Sequence, residues 1–97
     1  MDWKLLPSPP VVGPATLSLS LAEGARPVEE AEVKIEGNMA HPGMAPVLAE
    51  AREVSPGRYE STLQLTMAGD WIVLVDARLR DGRAVHRELQ VRGVRAQ

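Results

Sequence analysis

The chain has 97 residues, of which 44% are hydrophobic, and carries a net charge of −2 from 11 basic and 13 acidic side chains. That is the size and composition of one globular domain, and charges so well mixed exclude the clustered basic face of a nucleic-acid binder. There is no cysteine, which excludes a disulfide framework, a thiol nucleophile and a thiolate-bound zinc or iron–sulfur site.

Residues 1–14 contain Pro7, Pro9, Pro10 and Pro14 with Ser8 and Gly13. Proline fixes φ and lacks the N–H that a helix or central strand needs, so the segment reads as an extended N-terminal arm or tether ahead of a domain at 15–97. Its start, Met1-Asp2-Trp3-Lys4, has no apolar h-region. It reads either as the trimmed juxtamembrane end of an exported chain or as the start of a cytoplasmic one. No apolar run is long enough to cross a bilayer, so direct membrane insertion is not expected.

From Ala15 to Leu21, Leu17, Leu19 and Leu21 alternate with Thr16, Ser18 and Ser20, the period of a half-buried strand. Glu23-Gly24-Ala25-Arg26-Pro27 predicts a turn. Ala31, Val33 and Ile35 alternate with Glu32, Lys34 and Glu36 as a second strand, and Gly37-Asn38 opens an irregular loop to Pro46. Val47–Val54 contains good helix formers but is short and uncapped, and is assigned as a strand. Ser55-Pro56-Gly57-Arg58 is a turn. Tyr59, Ser61, Leu63, Leu65 and Met67 share the core-facing parity of the next strand, and Ala68-Gly69-Asp70 turns again. Trp71, Val73, Val75, Ala77 and Leu79 point inward, Asp81-Gly82 predicts a hairpin, and Val85, Leu89 and Val91 face inward on the last strand.

Short strands with turns roughly every eight to twelve residues predict an all-β, immunoglobulin-like β-sandwich of about seven antiparallel strands. Ile72 and Leu74 lie on the outward parity and need cover. The apolar side chains of the arm are the nearer source, a second subunit the other.

Chemistry concentrates in Asn38-Met39-Ala40-His41-Pro42-Gly43-Met44-Ala45-Pro46. Two of the three internal methionines and one of the two histidines lie here. Neutral thioethers with an imidazole, and no thiolate or carboxylate, suit Cu(I) better than zinc, calcium or iron. On extended backbone Met39 and His41 point the same way, Pro42-Gly43 can turn Met44 back, and Met67 can meet them if the turn at 67–70 shares that end of the sandwich. The candidate metal ligands are therefore Met39, His41, Met44 and Met67. Methionine is also a common gap-filler, and a loop histidine is commonly solvated, so a metal-free loop stays open from the residues alone. His86, beside Arg87 and Glu88, reads as an exposed strand residue. No enzyme is expected. The serines lack a nucleophile-elbow context, the pairs Glu29/Glu30 and Glu50/Glu53 read as solvated charge, and no glycine run cradles phosphate.

The chain resembles the YtkA-like domains, which are close to the FixH-like domains. The residues that carry the resemblance are the 37–46 loop, Pro56-Gly57-Arg58-Tyr59, Met67-Ala68-Gly69-Asp70-Trp71 and the Asp81-Gly82 hairpin, covering about residues 14–92. The resemblance implies an exported, often tethered immunoglobulin-like domain in the periplasm, linked to copper handling and haem–copper oxidase assembly. It implies Met39, His41, Met44 and Met67 as copper ligands, an oxidase subunit or other cuproprotein as partner, Tyr59 as a corner anchor and Trp71 as core. The transmembrane segment of FixH-like proteins has no counterpart in this sequence. Three functions follow for test: a Cu(I) carrier or chaperone, a metal-free protein-interaction module, and an appended structural domain. A monomer or weak dimer is expected.

Overall fold

The computed structural model describes residues 1–40 and 43–96. Its strands are β1 (Asp2–Leu6), β2 (Gly13–Ser20), β3 (Ala22–Glu23), β4 (Arg26–Pro27), β5 (Glu32–Met39), β6 (Val47–Ser55), β7 (Arg58–Leu65), β8 (Gly69–Arg78) and β9 (Ala84–Val94). No helix occurs among the described residues. The fold is all-β: one curled seven-stranded antiparallel sheet in the order β1-β2-β7-β6-β5-β8-β9, with β3 and β4 forming a small ribbon. Val47–Val54 is indeed strand, the helix formers being overridden by pairing on both edges.

The curl comes from β6. Val47–Ala51 pairs with β5, whereas Arg52–Ser55 pairs with β7, with a register shift between Glu53 and Ser55. A strand that changes partner at a bulge turns a sheet through a corner. It folds β1-β2-β7 over β5-β8-β9 as the two layers of a sandwich. The period-2 patterns put Leu17, Leu19, Leu63 and Leu65 of one layer against Val33, Ile35, Trp71, Val73 and Val75 of the other, all essentially inaccessible.

Two anchors fix the crossover from β2 to β5. The buried Tyr59 hydroxyl donates to the Val28 carbonyl at 2.8 Å and accepts from the Ala31 N–H at 3.0 Å. The Glu53 carboxylate accepts from the Glu30 and Gly57 N–H groups at 3.0 and 3.1 Å. Glu53 is therefore a structural acceptor and not free surface charge.

In the N-terminal segment, Asp2–Leu6 pairs along β2 from Ser20 to Thr16. Further on, Val12 N–H donates to the Arg95 carbonyl and Arg95 N–H to the Pro10 carbonyl. Ile72 and Leu74 are half-buried. Their in-register neighbours are Asn38 and Gln90, and Glu36 and Glu88.

Candidate metal centre

Antiparallel pairing puts the end of β5 beside the start of β8: Met39 lies opposite Trp71. The Ala40 N–H then donates to the Asp70 carbonyl at 3.0 Å, so the loop after β5 is joined to the start of β8, just past the β7–β8 turn, at one tip of the sandwich. The indole of Trp71 sets the height of that turn. Its ring lies against Gly37, where a Cβ would come within 3.3 Å of two ring carbons. Its Nε1 donates to the Met67 carbonyl at 2.9 Å. On the other side of the turn, the Asp70 carboxylate accepts from the Gly93 N–H at 2.9 Å.

The thioethers divide into two kinds. Met39 is half-buried and packs on the core, with its terminal methyl over Gly69, where a Cβ would sit 3.2 Å away. Met44 and Met67 are 41% and 44% exposed. Sequence parity assigned Met67 to the core-facing side of a strand. The strand ends at Leu65 and the chain bends at Met67 and Ala68, so Met67 lies off that face and is exposed. His41 lies outside the described residues. The structure thus places Met39 against the 67–70 turn and leaves two sulfur-bearing side chains open to solvent, Met44 in the loop and Met67 in the turn.

No group of three or more histidine or acidic side chains able to hold a metal occurs among the described residues, and the Asp70 carboxylate is engaged with Gly93. Soft, neutral donors of this kind fit a monovalent soft cation and do not fit calcium or magnesium.

Charge is organised at the opposite tip. Arg83 donates through both terminal nitrogens to Glu23 at 3.0 and 2.7 Å, and through Nε to Asp81 at 2.7 Å. Hydrogen bonding from Arg83 holds both carboxyls below their usual range. The clamp ties the β8–β9 hairpin to the β3–β4 ribbon, a link across 60 residues that no local pattern announces. On the outer face, His86 Nδ1 sits 2.5 Å from Asp76 Oδ1, both exposed.

These features define a small antiparallel β-sandwich. The chain belongs to the YtkA-like family, whose match spans residues 3–76 and so includes the loop and the turn. No curated protein and no solved structure matches it.

Proposed function

We propose that the domain binds Cu(I) at this tip as cargo and passes it to a cuproprotein outside the cytoplasm, such as a haem–copper oxidase subunit under assembly. What supports the reading is the backbone bond from Ala40 to Asp70, which ties the loop carrying Met44 to the segment that follows Met67, both of them exposed, with the Met39 methyl against Gly69. The exposure of Met44 and Met67 leaves both side chains accessible to a soft ligand. Membership in the YtkA-like family is consistent with this use.

In this reading Met44 and Met67 are the outer ligands, His41 supplies the imidazole, and Met39 closes the site from below. Thioether needs no deprotonation, so the sulfur contribution to affinity does not depend on pH. Open outer ligands favour transfer by stepwise ligand exchange, because an acceptor's donors can reach the ion before the last sulfur leaves. The domain acts by binding and presentation, without catalysis.

The test is anaerobic Cu(I) titration against a competing chelator. Met44→Leu combined with Met67→Leu keeps volume and removes sulfur, and Met39→Leu and His41→Ala are measured alongside. The double variant is expected to lose at least tenfold in affinity with an unchanged melting temperature. Equal affinity in wild type and all variants overturns the proposal.

A further inference from the structure

The curled sheet does not close. β1 and β9 are its two edge strands; β1 pairs with β2 and β9 with β8 among the described residues. Both run toward the methionine tip, and there they are drawn together by Val11, Val12 and Arg95. Between them lies a groove of about 310 Å³. Trp3, Leu5 and Val91 line it from the inward parity of their strands, Lys4, Gln90 and Arg92 from the outward parity, and Ser8 and Pro10 from the segment after β1.

Three properties of this seam converge on one kind of occupant. First, alternate backbone N–H and C=O groups on an edge strand have no ladder partner and can take up an added strand. Second, one apolar side chain of the groove is open: Trp3 is 41% exposed although its parity places it with Leu5, and Leu5 and Val91 are buried. Third, the lining holds two cations and no carboxylate, in a chain of net charge −2. Arg92 is steadied by Gln90, whose Oε1 accepts from its Nη2 at 2.7 Å. On a strand, side chains alternate between faces. An occupant that turns an apolar side chain inward beside Trp3, Leu5 and Val91 therefore turns its two neighbours to the outer face, the face that carries Lys4 and Arg92.

We propose that the β1–β9 seam is a docking slot for an extended peptide segment of a partner protein in which apolar and acidic residues alternate. The segment adds as a strand along β9, antiparallel to it. The slot is separate from the methionine tip, and its β9 side lies wholly beyond the 3–76 family match, so it stands or falls without reference to copper.

The experiment titrates the full ¹⁵N-labelled chain with a capped synthetic hexapeptide alternating glutamate and isoleucine. A lysine–isoleucine hexapeptide of the same pattern is the control. The expected result is saturable amide shifts confined to β1 and β9, an affinity at least tenfold higher for the acidic peptide, and weakening with salt. Lys4→Glu combined with Arg92→Glu, both on exposed edges, should reverse the preference between the peptides while the remaining spectrum is unchanged. N-methylation of alternate peptide amides should abolish binding, because the ladder is lost. The proposal is overturned by equal binding of the two peptides, by shifts at the methionine tip or elsewhere, by no binding at millimolar peptide, or by concentration-dependent shifts along β9 without peptide, which mark self-association of the edge.

Discussion

Single side chains hold this fold at points where hydrophobic patterning gives no instruction. Tyr59 is buried, and its hydroxyl serves both the Val28 carbonyl and the Ala31 N–H. Phenylalanine fills the same space but strands two backbone groups, so Tyr59→Phe should cost about 1–3 kcal/mol in urea unfolding. A loss within error would show that water replaces the hydroxyl freely. Burial also raises the Tyr59 phenol above its ordinary value. The neutral phenol is therefore favoured in the fold. Its contribution is complete below the unfolded value near 10 and fades as pH rises through the folded one. Tyr59 is the single tyrosine, so phenolate absorbance reads it directly: native protein should ionise later than urea-unfolded protein, and coincident curves would contradict the assignment. Gly57 has φ of 75°, and a Cβ there would fall 2.7 Å from Pro27 Cβ and 2.9 Å from the Leu21 carbonyl oxygen. Neither neighbour is a flexible end, so Gly57→Ala should destabilise by about 2 kcal/mol or more. A change under about 0.5 kcal/mol, ordinary for a surface position, would contradict the close approach. Ser61 is the converse case. Its hydroxyl faces the core without a partner among the described residues, so Ser61→Ala should leave the melting temperature equal or higher. A marked fall would reveal a bond not seen here.

At the scale of elements, the strands were legible in the sequence because each keeps one apolar face. Leu17, Leu19 and Leu21, and Trp71, Val73 and Val75, give the period without reference to anything distant. What was not legible depends on pairing. The proline-rich arm contains a real edge strand, because Asp2–Leu6 precedes the first proline and finds its ladder on β2. Met67 keeps the parity of β7 on paper but lies past its end at Leu65. Glu53 resembles surface charge locally, and its acceptor role is set by Glu30, which is 23 residues away. The Arg83 clamp is similar, since its partner Glu23 becomes a neighbour only when the hairpin and the ribbon meet. Because Glu23 and Asp81 titrate below their usual range when folded, the clamp's contribution is present above the unfolded carboxyl values and is lost as pH falls through the folded ones. The stability gap between wild type and Arg83→Gln should therefore be present at neutral pH, close in acid, and shrink with salt. A gap independent of pH would place Arg83's role in packing.

At the scale of the molecule, one structural device produces the two ends of the sandwich. The corner in β6 folds the sheet so that the β5–β6 loop and the β7–β8 turn share a tip, joined through Ala40 and Asp70. The opposite tip carries the Arg83 clamp, and the two edges of the sheet are left facing each other across a seam. The sequence names Met39, Met44 and Met67 as unusual, but it says nothing of their exposure, which is set by where β5 and β7 stop. X-ray absorption at the copper edge of the Cu(I)-loaded chain tests whether the tip holds Cu(I) through soft donors. A first shell dominated by sulfur is expected, diminished in Met44→Leu with Met67→Leu. A shell of oxygen or nitrogen donors alone, unchanged by removing those sulfurs, would contradict it.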